Sequence, residues 1–153
     1  MKYSILTLFI FAAAPSLACE DFSGTYTMME GTQTMKITQE ACDSMKLEPV
    51  GNGEPGWEFT FNNELELSQD APERKYDANT TIRASKTYLK STIDKNLVRA
   101  EGHMETDGAT EERYLRFQIT LEDDGRVSLF MVQEMPVSGY VYKITEKLTP
   151  VKN

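Results

Sequence analysis

Few residues in this chain have the type and spacing to do chemistry. There is one histidine, His103, and there are two cysteines, Cys19 and Cys42. A hydrolytic dyad or triad would have to take His103 as its base. No Gly-x-Ser-x-Gly elbow accompanies it, so His103 reads as an incidental strand residue. With one histidine, and with both cysteines better used as a disulfide, a zinc site lacks ligands. Paired acids occur at Glu111-Glu112, at Asp123-Asp124, and at Glu64 with Glu66. Neighbouring strand residues face opposite sides, so Glu111 and Glu112 cannot converge on one substrate. Asp123-Asp124 belongs to a turn. Glu64 and Glu66 share a face, but they flank Leu65 and Leu67 on what should be the solvent side. No EF-hand spacing supports calcium. The expectation is therefore a protein with no catalytic residue, no metal and no cofactor, one that acts by binding. Asn79-Thr80-Thr81 is a formal glycosylation sequon and flags a surface position.

The cysteines carry more information. Cys19 follows Pro15-Ser16-Leu17-Ala18, which puts small residues at the minus three and minus one positions of a cleavage site. Lys2 supplies the basic start, and Ile5 to Ala14 carries no charge. That run is about half of the ~20 residues a membrane span needs. Residues 1–18 thus read as a secretory signal, 19–153 as one mature domain, and the destination as periplasmic or extracellular. A Cys19–Cys42 disulfide suits an oxidising compartment. It would contribute about 3 kcal/mol by restricting the unfolded chain. The rival reading is a lipid-modified Cys19, which would leave Cys42 as an odd thiol.

The net charge is -8, and removing residues 1–18 takes away one lysine and no acid. No lysine or arginine cluster stands out, which argues against nucleic acid and anionic membranes as partners. No transmembrane segment is expected in the mature chain.

The elements that would hold any site follow a period of two, as half-buried antiparallel strands do. Phe22, Gly24, Tyr26 and Met28 alternate with small polar residues, as do Met35 and Ile37. Pro49 to Gly56 is the clearest loop. Trp57, Phe59 and Phe61 alternate, and Asn62-Asn63 then predicts a tight hairpin into Glu64 to Ser68. Tyr76 to Ile93 fits strand or helix, and its β-branched residues favour strand. Leu115, Phe117, Ile119 and Leu121 share a face, as do Val127, Leu129 and Met131. Phe130 and Val132 fall on the opposite side. Tyr140, Tyr142, Ile144 and Leu148 line the last strand. The fold class is all-β, an up-and-down antiparallel meander of eight to ten strands closing into a small barrel, with a β-sandwich as the alternative.

Phe22-Ser23-Gly24-Thr25-Tyr26 resembles the opening of lipocalin-like (calycin-type) barrels, where the first strand carries Gly-x-Trp. The resemblance places Tyr26 where the tryptophan plugs the barrel base, with Lys143 or Lys147 as its basic partner. It implies a small apolar ligand held inside. Tyr26, Met28, Met35, Trp57, Phe59, Phe61, Phe117, Met131 and Tyr142 are the candidate lining, and the same side chains could equally fill the barrel as plain core. Two functions follow. One is a carrier or scavenger of a small apolar ligand. The other is an interaction module with a filled core, an inhibitor or accessory subunit, that meets a protein partner through Phe130 and Val132.

Overall fold

The structure, a computed structural model, describes residues 18–28, 31–51 and 53–151. The signal expected over residues 1–18 lies outside these apart from Ala18. The first half of the chain forms β1 (Gly24–Thr27), β2 (Thr34–Glu40), β3 (Ser44–Val50), β4 (Trp57–Thr60) and β5 (Leu65–Ala71). A small hairpin follows, β6 (Arg74–Lys75) with β7 (Thr81–Ile82). The longer strands complete the fold: β8 (Ser85–Asp94), β9 (Leu97–Thr106), β10 (Arg113–Leu121), β11 (Val127–Met135) and β12 (Tyr140–Pro150). Tyr76 to Ile93 is therefore strand and turn. The β-branched residues decide that stretch, as expected.

Ten strands make one antiparallel sheet in the order β4-β3-β2-β1-β12-β11-β10-β9-β8-β5. This is a meander that nearly closes into a barrel, with β1 joined to β12 through Tyr26↔Pro150 and Thr27↔Thr149. The seam lies between β4 and β5, and it corrects the sequence reading. Trp57 to Ser68 was predicted as a hairpin, yet β4 pairs only with β3 and β5 only with β8. Asn63, at φ 61, turns the chain away, and its amide donates to the Ser91 carbonyl of β8 at 3.2 Å. The turn chemistry is real, but it carries the chain across the seam instead of folding it back.

The faces of β5 are also inverted. Leu65 and Leu67 are about half exposed. Glu66 lies opposite the buried Leu89 and accepts a hydrogen bond from the Asn62 amide. Ser68 follows Glu66 inward, and the register irregularity between Leu67 and Gln69 then sets Gln69 opposite the buried Thr87. Pro49, predicted as loop, is instead in β3 opposite Met35. β4 pairs only with residues 44–47 of β3, so Pro49 sits where the strand has lost a neighbour and tolerates a missing N–H.

The end of the barrel near β1 is closed by the disulfide. Cys19 is bonded to Cys42, in the turn between β2 and β3, with the Cα atoms 5.7 Å apart. The Gln39 side chain fastens the same end. Its amide donates to the carbonyls of Glu20 (3.0 Å) and Ala41 (2.7 Å), and its oxygen accepts from the Phe22 amide at 3.0 Å. Phe22, Ile37, Met45, Val98, Ile119, Val127 and Leu148 are fully buried in this half.

Tyr26 is buried in the core cluster. Its ring lies over Gly24, where an added Cβ would come within 3.1 Å of the ring. Residues two apart share a face, so the glycine leaves the ring its space. The phenol is buried and donates to the Phe22 carbonyl at 2.8 Å. Burial, aided by the charge of Asp21, pushes the phenol's pKa up and keeps it a neutral donor. Lys143 and Lys147 pair across strands with Val132 and Ser128 on the outer face, so neither stands as a basic partner beside Tyr26.

Candidate functional site

The inward candidates meet one another in the barrel. Phe117 of β10 touches Trp57 and Phe59 of β4, on the opposite wall, with ring centroids 5.0 and 5.8 Å apart. Phe59 is fully buried, and Tyr26 and Phe117 are nearly so. Met28, Met35, Trp57, Phe61 and Met131 are partly buried and pack against the same core cluster. Tyr142 departs from this set. It shares the inward phase, opposite Gln133, but it is 45% exposed because β1 does not reach this part of β12. The interior also contains polar groups that sequence reasoning missed. The hydroxyls of Ser68, Thr87 and Ser91, on β5 and β8, are buried without a hydrogen-bond partner. Such positions are usual sites for ordered water.

A groove of about 700 Å³ lies on the outer face of β8 to β12. Cross-strand register assembles it. One row runs Lys90, Glu101, Arg116, Val132, Lys143, and the next runs Thr92, Arg99, Gln118, Phe130. Phe130, Val132 and Val141 supply apolar side chains on this face, and Ala100 and Phe117 also line it. Phe130 is 39% exposed, whereas Val132 is covered to 7% exposure between the long side chains of Arg116 and Lys143. Both residues take the outward phase read from the sequence, but only Phe130 is exposed.

The electrostatics of the groove oppose those of the whole chain. Lys90, Arg99, Arg116 and Lys143 line it, against Glu101 and Glu134. Arg116 is paired with Glu134. Lys90, Arg99 and Lys143 form no ion pair among the described residues. A protein with a net charge of -8 thus presents a locally cationic trough. The sequence showed no basic cluster because these residues lie on four separate strands. Only the period of two combined with the register brings them together.

The remaining chemistry-bearing residues have structural partners. His103 lies on the outer face of β9, stacked on Tyr88 with centroids 5.3 Å apart and 3.6 Å from Glu105. Glu111 accepts hydrogen bonds from the amides of Ser138 (3.0 Å) and Val137. The Ser138 amide, followed by that of Val137, holds its carboxyl below the ordinary 4.5. Asp124 accepts from Arg126 in the turn between β10 and β11, as its turn assignment implied. Asn79 is exposed in the turn between β6 and β7. Among the described residues no cluster of histidine, cysteine and acidic side chains is arranged to hold a metal ion, and no helix is long and apolar enough to cross a membrane. No family model, curated protein or solved structure matches the chain.

Proposed function

We propose that this chain is an exported binding module whose working surface is the outer groove of β8 to β12, and that its partner is a protein. One observation carries the reading. A groove of about 700 Å³ lies over Phe130 and Val132 on the outer face, while Trp57, Phe59 and Phe117 meet across the inside. An apolar patch rimmed by charge is a common form of partner site. The disulfide and the leader-like residues 1–18 support export. The module acts by holding its partner, as an inhibitor or accessory subunit does, and not by catalysis.

The test is a benzophenone photocrosslinker placed at Phe130 in the producing cells. Tyr76 is the control, because it is 73% exposed and lies outside the groove. Crosslinking to a protein from position 130 and not from position 76 is expected. Equal crosslinking from both, or none from 130, would contradict the reading.

A second reading, a lipocalin-like carrier of a small apolar ligand, draws on one observation. Met28, Met35, Trp57 and Met131 keep partial exposure at inward positions, away from the disulfide-closed end. Methionine and tryptophan there would form an adaptable apolar mouth.

A further inference from the structure

The groove ends at a free strand edge. β11 covers one side of β12 from Tyr140 to Leu148, whereas β1 meets the other side only at Thr149 and Pro150. Among the described residues no strand lies against that side of residues 140–145. Tyr140, Val141 and Tyr142 are each about half exposed, so both faces of this stretch are open. In an antiparallel pair, alternate backbone N–H and C=O groups point away from the partner strand. Along residues 140–145 those groups have no strand to meet among the described residues. Long apolar edges of this kind pair with another extended chain unless they are blunted by charge, proline or a bulge. Lys143 is the one charged residue in this stretch.

The edge and the groove are continuous, because Val141 and Lys143 belong to both. A chain laid along the edge would have two faces. Its outward side chains would stand beside Val141, Lys143 and Thr145, near the cationic trough. Its inward side chains would stand beside Tyr140, Tyr142 and Ile144. We propose that the partner contributes an extended segment which adds to β12 as a new strand, with acidic residues on its outward side and apolar residues on its inward side. This rests on the groove reading and specifies the partner's chemistry. The net charge of -8 does not oppose it, since charges beyond about 8 Å are largely screened at physiological salt. A second copy of this chain fits less well. Its own β12 would offer a second Lys143 where the groove calls for an acid.

The test uses the full chain and two synthetic heptapeptides. One alternates glutamate with valine, and the other has lysine in place of glutamate. Affinity is read by fluorescence anisotropy, and backbone protection by residue-resolved hydrogen exchange. The glutamate peptide should bind, the lysine peptide should not, and alternate amides within residues 140–145 should slow. Lys143→Glu should weaken binding about tenfold or more. Binding without slowed amides in 140–145 would overturn strand addition. So would a failure of the glutamate peptide to bind. In either case the groove reading would still be decided separately, by the crosslink at position 130. Protection of the same amides without peptide, rising with protein concentration, would make the occupant a second copy and also overturn the proposal.

Discussion

Phe117 and Phe130 lie on adjacent strands of one sheet and differ in almost every respect. Phe117 points inward, is 6% exposed, and is held between Trp57 and Phe59 from the far wall. Phe130 points outward, is 39% exposed, and lies opposite Gln118 with Thr145 on its other side. The strand period alone separates them: the register partner of Phe117 is Met131, one step along from Phe130. One step of sequence thus divides a core side chain from a surface one. An aromatic residue contributes to stability on the inside and is available for recognition on the outside.

The sharpest way to break this contrast is to truncate both sides. Phe59→Ala should cost about 3–5 kcal/mol, because a large side chain leaves a cavity in a packed interior. Phe130→Ala should change stability by less than about 1 kcal/mol while removing apolar surface from the groove. Urea denaturation compares the two directly. A Phe59→Ala variant as stable as the parent would mean the interior is hollow, and would favour the carrier.

The closed end gives the next largest effect. Replacing both Cys19 and Cys42 by serine should cost about 3 kcal/mol, measured by thermal or urea unfolding under matched conditions. Partner crosslinking from Phe130 should persist in the variant at temperatures where it remains folded, since the disulfide does not line the groove.

Gly102→Ala should come third. A Cβ there would sit 1.9 Å from the Tyr88 carbonyl oxygen, a backbone atom with little room to give. Overpacking of this kind costs about 1–3 kcal/mol. It would also disturb the β8–β9 pairing that carries Lys90, Arg99 and Glu101, so it should affect the core and the groove together.

The smallest effect is local. Glu111 is half-buried at the surface, and its folded pKa lies below the ordinary 4.5. Its hold on the turn between β11 and β12 is therefore complete above that value and is lost as pH falls through the lower folded value. Amide exchange at Val137 and Ser138 should accelerate over that range with global stability little changed. Glu111→Gln should reproduce the low-pH behaviour at neutral pH. Unchanged exchange at these two amides would remove Glu111 from the account.

Much of the architecture was legible because one face of each long strand is apolar. Leu115, Phe117, Ile119 and Leu121 on β10, and Val127, Leu129 and Met131 on β11, declare their side by simple alternation, and the structure places them as read. The disulfide followed from two cysteines and the leader-like pattern of residues 1–18. The seam was not legible. Asn62-Asn63 is good turn chemistry, but whether a turn folds a strand back or carries it to a new neighbour depends on what β3 and β8 already offer. Leu65 and Leu67 misled for the same reason, since a strand at the seam can turn apolar residues outward and Glu66 inward. Phe130 and Val132 could be assigned a side. The cationic rim around them could not, because Lys90, Arg99, Arg116 and Lys143 meet only through pairing across the five strands β8 to β12.

In the proposed function the outer face binds and the inner face does not. A native mass spectrum of the protein taken from its own compartment, with its Phe130→Asp and Trp57→Ala variants, tests it most directly. The account predicts a protein complex that disappears in Phe130→Asp and survives in Trp57→Ala. A bound small molecule that persists in Phe130→Asp and is lost in Trp57→Ala would contradict it and establish the barrel interior as the working site.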